Sequence, residues 1–320
     1  MCGRPGFRRQ GNKMEQLKVK IGKLILENPV LTASGTFGTG EEFEDFLDLD
    51  KLGAVVVKGI TLKPRDGNPL PRIAETPSGM LNAIGLQNPG VDIFIKEKCP
   101  VFLKYKVPFI VNISGYEEKE YGLLAKKLET VAGVAGIEVN VSCPNVNYRH
   151  GMIFAKDPLA VSRITRLVRK NTKKTVIIKL SPEVSDIKVI ARAAEEAGAD
   201  ALSLINTISG LAVDVETRRP KIASIIGGLS GPAVKPIGLR CVWQVYNTVK
   251  IPIIGMGGIC TYEDALEYLI AGAAAVAVGT GNFLDPQSTV KIVDGLKKYF
   301  ILNKIKNVAQ LTGSLRLFNN

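Results

Sequence analysis

Short apolar runs, rich in β-branched residues, alternate along the chain with amphipathic segments. The runs lack strict alternation of apolar and polar positions, which is typical of parallel strands covered on both faces. A first stretch, Leu17–Glu27, predicts a hairpin. Eight buried strands are then predicted, at 30–35, 54–61, 108–114, 136–143, 175–182, 201–207, 252–259 and 275–281.

Segments with helical spacing of apolar residues separate these strands. Thr261 and Ser185 are predicted N-caps, and Gly198 and Gly272 lie where helices are expected to end. Eight βα units in strict alternation favour a closed (β/α)₈ TIM barrel over a doubly wound open sheet. The helical segments include 41–49, 121–131, 158–171, 185–198, 238–249 and 261–272.

Two connections are unusually long, Leu62–Pro89 after the second strand and Ile208–Lys235 after the sixth. Both follow the carboxyl ends of strands, where active sites of barrels lie. The sequence therefore predicts functional insertions at the C-terminal face of the barrel.

The length of 320 residues suits one such barrel with insertions. Residues 1–13, which supply four of the 12 net positive charges, are predicted to be a disordered basic leader, and 14–320 a single catalytic domain. The chain contains neither the Arg/Lys run of a nucleic-acid-binding arm nor an apolar stretch long enough to span a membrane. We therefore expect neither nucleic acid nor membrane as a partner.

The five cysteines are odd in number and widely spaced, and no C-x-x-C occurs. This pattern argues against a disulfide framework and against a zinc or iron–sulfur site within the chain, and it favours a reducing cytoplasm. His150 is the only histidine, which excludes mechanisms that need two.

Polar residues cluster where the predicted strands end. The loops after strands 7 and 8 carry glycines, which in barrels commonly bind a phosphate through backbone N–H groups. Phosphate binding combined with inward lysines and amides predicts flavin mononucleotide (FMN), with Lys179 stabilising the charge of the reduced ring. The same residues would also suit a Schiff-base aldolase or a sugar-phosphate enzyme, with Lys58 or Lys179 as the amine.

Cys143 ends the fourth predicted strand, between Asn140 and Asn145. A thiol with a pKa near 8.5, assisted by nearby lysines, suits the removal of a weakly acidic carbon proton. We favour Cys143 over His150 as the base, because no carboxylate partner for the histidine is evident from the sequence. The other four cysteines are interpreted as buried and inert.

Ten motifs follow one another from about Met14 to the end: LTASGTFG (31–38), VVKGIT (56–61), NAIGLQNPG (82–90), VNISG (111–115), EVNVSCPN (138–145), IIKLSP (177–182), INT (205–207), GGLSGPAVKP (227–236), GMGGI (255–259) and VGTG (278–281). In this order they resemble the motifs of the class 1 dihydroorotate dehydrogenases. Within that family, VDVETRRPKI (213–222) and GGLSGPAVKP resemble the NAD-linked (class 1B) catalytic subunits.

The resemblance implies oxidation of dihydroorotate to orotate in pyrimidine biosynthesis, with Cys143 removing the C5 proton while hydride passes from C6 to FMN. Lys58 would lie between flavin and substrate and act in catalysis. The implied orotate pocket consists of Lys58, Asn82, Gly85, Leu86, Asn145, Asn206 and Thr207. The implied FMN contacts are Ser34, Lys58, Asn112, Asn140, Lys179, Ile205, Gly231, Gly257, Gly258, Gly279 and Thr280.

The resemblance also implies a partner subunit that carries FAD and a [2Fe–2S] cluster and passes electrons to NAD, around a homodimer of this chain in a heterotetramer. Two flavin alternatives stay open from the sequence. One is a fumarate-linked dihydroorotate dehydrogenase without a partner. The other is a barrel like tRNA dihydrouridine synthase, which only the positive charge supports.

Overall fold

The fold is taken from a computed structural model that describes residues 15–141 and 154–318. The predictions for the leader 1–13, for Cys143 and for Asn145 lie outside the described residues.

Eight parallel strands form the central sheet, and each coincides with a predicted strand. In chain order they are β1 (Val30–Thr32), β2 (Val55–Ile60), β3 (Phe109–Ile113), β4 (Val134–Asn140), β5 (Thr175–Leu180), β6 (Ala201–Leu204), β7 (Ile253–Met256) and β8 (Ala275–Val278). Their order is β1-β8-β7-β6-β5-β4-β3-β2, and a parallel bridge between Leu31 and Ala54 joins the two outer strands. The predicted TIM barrel is therefore confirmed.

Helices cover the outside of the barrel, and their buried faces and the strands share one apolar core. They are α1 (Val91–Glu97), α2 (Cys99–Phe102), α3 (Glu118–Glu129), α4 (Pro158–Asn171), α5 (Ile187–Glu196), α6 (Lys235–Tyr246), α7 (Tyr262–Ala271), α8 (Gly281–Leu284) and α9 (Ser288–Leu302). Short 3₁₀ turns occupy Glu15–Leu17, Glu41–Phe43, Leu49–Lys51, Phe154–Lys156, Pro232–Val234 and Val308–Gln310. Across residues 15–141 and 154–318, no helix has the length and apolarity needed to cross a membrane.

The segment 41–49, between β1 and β2, is not the helix that its apolar spacing predicted. Only two 3₁₀ turns form, at Glu41–Phe43 and Leu49–Lys51. Acidic residues three and four positions apart repel one another on a helix. In addition, the ring of Phe43 stacks on Phe37 at 4.0 Å between centroids, a tertiary contact that fixes the turn instead.

The predicted N-terminal hairpin is present, as Val19–Ile21 paired antiparallel with Leu24–Leu26. Its turn rests on the amino ends of the barrel strands, where the backbone N–H of Lys23 donates to the hydroxyl of Thr175 (3.0 Å). The hairpin therefore packs against the end of the barrel opposite to the carboxyl ends of the strands.

The two long insertions fold against each other rather than forming separate loops. Four antiparallel strands form one sheet, in the order Ile208–Leu211, Ile226–Ser230, Gly79–Asn82 and Ile73–Thr76. A short pair, Val213–Asp214 with Arg219–Pro220, extends the second insertion. The sheet brings the segment after β2 and the segment after β6 together at the C-terminal face.

Candidate active site

A cavity of about 370 Å³ lies at the carboxyl ends of the barrel strands and beneath the inserted sheet. Of the 18 residues predicted for the site, Cys143 and Asn145 lie outside the described residues, and all 16 others line this cavity. The structure thus brings together residues from the ends of the barrel strands and from the two insertions. The 16 are Ser34, Lys58, Asn82, Gly85, Leu86, Asn112, Asn140, Lys179, Ile205, Asn206, Thr207, Gly231, Gly257, Gly258, Gly279 and Thr280.

Asn112, on β3, lies on the floor of the cavity and is 1% exposed. Its Nδ2 donates to Oε1 of Glu138 (2.6 Å), and the other carboxylate oxygen accepts from the hydroxyl of Ser203 (2.8 Å). The Oδ1 of Asn112 is buried and has no hydrogen-bond partner among the described residues. A buried acceptor without a partner is costly, so this atom suits a ligand donor.

Two further polar contacts connect the ends of strands that are not adjacent in the barrel. Lys179 on β5 donates from Nζ to the hydroxyl of Ser34 (3.4 Å), which follows β1 across the barrel. Asn206 donates from Nδ2 to Oδ1 of Asn140 (3.4 Å), and its own Oδ1 accepts from the backbone N–H of Thr207 (2.8 Å). These contacts orient a lysine and several amide groups around one space.

Lys58, on β2, is half-buried in the cavity wall. Burial lowers the pKa of its ammonium from the ordinary value, Glu42 partly offsets this, and Arg72 lowers the pKa further. An anionic ligand next to Lys58 would reverse the effect of burial, because an opposite charge favours the protonated form.

Glycines and hydroxyls form the wall between β7, β8 and the start of α6. Gly231 (φ 101°), Gly257 (φ 124°) and Gly258 (φ 71°) adopt conformations that side-chain-bearing residues rarely adopt. A Cβ on Gly258 would lie 2.9 Å from the carbonyl oxygen of Gly231, so the two backbones approach closely. Thr280 donates to the hydroxyl of Ser230 (2.8 Å). Glycine backbone that lines a cavity near the start of a helix suits a phosphate.

The turn that contains Gly85 and Leu86 is held by Asn88, a buried residue that the sequence analysis did not single out. Its Oδ1 accepts from the backbone N–H groups of Thr61 (3.2 Å) and Gly90 (2.9 Å), and its Nδ2 donates to the carbonyl of Leu86 (2.6 Å). Leu86 has a φ of 57°, which is strained for a residue other than glycine. Asn88 thereby couples the end of β2 to the cavity wall.

Sequence reasoning also missed Arg72 and Glu138. Arg72 reaches the cavity from the first insertion, and its Nη1 donates to Oε1 of Gln87 (2.6 Å). Only the folding of the insertion brings Arg72 to the cavity, so no sequence pattern around it could have predicted this position. Glu138 could have been found, because a carboxylate inside an apolar strand is rarely buried without a specific partner.

The chain was compared with known proteins. The family model described as dihydroorotate dehydrogenase matches residues 16–300. Relatives named "Dihydroorotate dehydrogenase B (NAD(+)), catalytic subunit" from Thermoanaerobacter sp. (strain X514) and Citrifermentans bemidjiense are each 54% identical over 301 residues. The alignments cover 94% of this chain and 99% and 98% of those proteins, respectively.

A crystal structure of DHODH in complex with ferulenol from Eimeria tenella superimposes with a TM-score of 0.79 at 25% identity. The superposition covers 95% of this chain and 90% of that one. The family model spans most of the chain and the sequence relatives match along nearly their whole length, which agrees with the barrel and with the residues around its cavity. The chain therefore belongs to the dihydroorotate dehydrogenase family.

Proposed function

We propose that this chain is the catalytic subunit of an NAD-linked dihydroorotate dehydrogenase, which oxidises (S)-dihydroorotate to orotate in de novo pyrimidine biosynthesis. The observation that carries the proposal is the 54% identity, over 99% of its length, to a relative named as such a subunit. The cavity supports it, because the described residues expected for this chemistry all line one space. We place residues 14–320 in one catalytic domain.

FMN fits the polar groups of the cavity. The buried Oδ1 of Asn112 has no donor among the described residues, so a flavin N–H could donate to it. The glycines around Gly258 lack side chains, so a phosphate could contact their backbone. Lys179 supplies a positive charge near Ser34, where the reduced ring would carry negative charge. When bound there, FMN would supply the acceptor for hydride.

The product, orotate, is a planar carboxylate with imide donors and acceptors, which amides and a cation recognise well. Asn82, Asn206 and Thr207 would provide the hydrogen bonds, and Lys58 would lie between substrate and cofactor. The turn at Gly85 and Leu86 would close the pocket. A substrate carboxylate near Lys58 would restore the protonated state that burial disfavours.

Cys143 is proposed as the base, with Asn145 beside it in the sequence as a substrate contact. Cys143 follows Asn140, which lines the cavity, by three residues. The thiolate would take the proton from C5, and the electron pair of that C–H bond would form the C5–C6 double bond. Hydride would leave C6 with the electron pair of its own C–H bond.

We further propose that electrons pass to NAD through a partner subunit that carries FAD and a [2Fe–2S] cluster, around a homodimer of this chain. The relatives' names specify NAD(+) and a catalytic subunit, which favours this arrangement over the fumarate-linked one and over a tRNA-modifying barrel. An apolar patch on the second insertion supports contact between two copies of this chain in the homodimer, since such patches commonly mark interfaces. We call Leu211, Val213, Val215, Ile225 and Ile226 the insertion patch; each is more than half exposed.

The first test is an anaerobic titration of the purified chain with dihydroorotate, followed by its visible spectrum. We expect a yellow protein that bleaches in proportion to added dihydroorotate and is not reoxidised by NAD⁺ alone. Reoxidation by fumarate would instead support the partner-free enzyme. A colourless protein, or a flavin indifferent to dihydroorotate, would contradict the proposal, and trapping of a lysine by borohydride would then indicate an aldolase.

A further inference from the structure

Glu138 lies inside the barrel, on β4, with only 2% of its surface exposed. Its carboxylate contacts two described side chains from other strands, Asn112 on β3 and Ser203 on β6, at 2.6 and 2.8 Å. Burying a carboxylate costs free energy unless its oxygens are bound by donors. Both oxygens accept a hydrogen bond here, so the arrangement is specific to this pair of donors.

The carboxylate determines which way the Asn112 amide points. A carboxylate has no proton to donate, so only the NH₂ of Asn112 can face it. The Oδ1 is then directed away from Glu138, and it is buried without a partner among the described residues. A Cβ on Gly59 would lie 2.9 Å from this Oδ1, so the glycine keeps the space beside the oxygen open. Asn112 and Gly59 both line the cavity.

We propose that Glu138 is a positioning residue for cofactor recognition. By holding the NH₂ of Asn112, it presents the Oδ1 as an acceptor to a ring N–H of the bound flavin. The inference rests on FMN as the cofactor of the proposed function and adds a residue that does not itself line the cavity. Oxidised isoalloxazine has one ring N–H, at N3, so the expected donor is N3–H.

Glutamine at position 138 would not fix the amide in the same way. Its Nε2 could donate to the Oδ1 of Asn112 while its Oε1 accepts from Ser203, which would turn the NH₂ of Asn112 toward the ligand. The opposite orientation would also satisfy every group, because the hydroxyl of Ser203 both donates and accepts. Only the carboxylate restricts Asn112 to one orientation.

The test compares FMN with 3-methyl-FMN, which has no N3–H, by titrating the flavin-free chain and following quenching of flavin fluorescence. The wild-type chain should bind FMN at least about tenfold more tightly, because 3-methyl-FMN leaves the buried Oδ1 unpaired. Asn112→Ala should abolish most of this preference. Glu138→Met should reduce it by about threefold to tenfold, because the Asn112 side chain is then ordered only on binding.

Ser203→Ala is the matched control, because it removes the other donor to the same carboxylate and leaves the Asn112–Glu138 hydrogen bond in place. It should keep the wild-type preference for FMN. A preference in Glu138→Met equal to that in Ser203→Ala would overturn the inference. A general loss of folding is measured separately, by thermal unfolding of each flavin-free variant.

Should Glu138→Met fail to fold, the double variant Asn112→Asp with Glu138→Gln decides the question. The introduced glutamine could donate to one oxygen of the introduced aspartate, which would present its other oxygen to the ligand. The preference for FMN should then persist, and its loss would overturn the inference. A wild-type chain that binds both flavins equally would overturn the inference and leave the proposed function standing. A wild-type chain that binds neither flavin would overturn both.

Discussion

At the residue scale, Lys58 is a half-buried lysine whose protonated form lowers the stability of the folded chain. Burial is the largest cause of its lowered pKa, followed by Glu42, which raises the pKa, and Arg72, which lowers it. The unfolded chain therefore holds this proton more tightly than the folded one. The folded state is destabilised by this group below its lowered pKa, and the penalty disappears as the pH rises toward the ordinary value of 10.5.

Lys58→Met should thus give a flavin-free protein whose free energy of unfolding at pH 7 is equal to or greater than that of the wild type. Reduction of the bound flavin by dihydroorotate should slow by about 10²-fold or more, since the variant loses the charge that we propose lies between substrate and cofactor. Denaturant unfolding measures the free energy of unfolding, and anaerobic stopped-flow spectroscopy measures the rate of flavin reduction. Lys63→Met, at an exposed lysine nearby, is the control and should change neither. A large loss of stability in Lys58→Met would contradict this account.

Cys143→Ala should retain flavin and lose turnover by roughly 10²–10⁴-fold, the usual contribution of a general base. Cys143→Ser should keep some activity and need a higher pH, because a hydroxyl is a poorer base. Cys99→Ala serves as the control: burial raises the pKa of that thiol to about 12, and it lies outside the cavity. Unchanged turnover in Cys143→Ala, with flavin bound, would assign the base elsewhere.

At the scale of elements, a strand of the inserted sheet, Ile226–Ser230, packs against the side chain of Thr207. A Cβ on Gly228 would overlap the side chain of Thr207, so the glycine provides the room for the side chain of this cavity-lining residue. Gly210, in the strand paired with that of Gly228, would bring its Cβ only to within 3.0 Å of Cδ2 of Leu81, which can move.

Gly228→Ala should therefore raise the KM for dihydroorotate by about tenfold or more, because the displaced Thr207 would lose the substrate hydrogen bond that we propose for it. Flavin content should stay unchanged. Gly210→Ala, the control in the same sheet, should leave the KM within about twofold of the wild type, as expected where a flexible side chain can adjust. Equal effects of the two substitutions would show that Thr207 is not positioned by this contact.

The insertion patch is expected to lie in the interface between two copies of this chain. Leu211 and Ile226 are directly paired across the sheet, so their exposed side chains lie next to each other. Ile226→Asp should shift the purified chain toward a smaller species in sedimentation velocity, because a buried charge is costly at an interface. Ile25→Asp, at an exposed position on the N-terminal hairpin, is the control. Unaltered sedimentation of Ile226→Asp would exclude this patch from the dimer interface.

At the scale of the whole molecule, the barrel closes between β1 and β2 through few backbone contacts. Thr32 supplements them: its hydroxyl accepts from the backbone N–H of Val56 (2.9 Å) and donates to the carbonyl of the same residue (3.2 Å). Thr32 is 0% exposed. A side chain thus provides part of the ladder where the short strand β1 ends.

Thr32→Val should lower the free energy of unfolding by about 1–3 kcal/mol, because the N–H and C=O of Val56 would be left buried and unpaired. Thr289→Val is a matched control. Thr289 is also 0% exposed, but its hydroxyl has no partner among the described residues, so its removal should be neutral or stabilising. Denaturant unfolding measures both variants. Similar losses in the two would show that Thr32 does not strengthen the closure.

The local sequence determined the strands and helix ends that depend only on residues close together in the chain. Apolar β-branched runs specified all eight strands, and Thr261 forms the predicted cap with Asp264 at the start of α7. The predicted cap of α5 is wrong by one residue: Asp186 caps this helix, not Ser185. The carboxylate of Asp186 accepts from the backbone N–H of Lys188 (2.9 Å). The polar strand ends could be predicted as a site, since parallel strands in a barrel bring their carboxyl ends together.

Only the tertiary structure decided what depends on contacts between distant segments. The pairing of the two insertions, and with it the arrival of Arg72 at the cavity, requires strands far apart in the chain to meet. Stacking of Phe43 on Phe37 replaced the helix that spacing favoured. The orientation of Asn112 follows from Glu138 on the neighbouring strand. Local pattern sets which residues are buried and near the site, whereas hydrogen-bond direction and close packing are properties of pairs that only folding brings together.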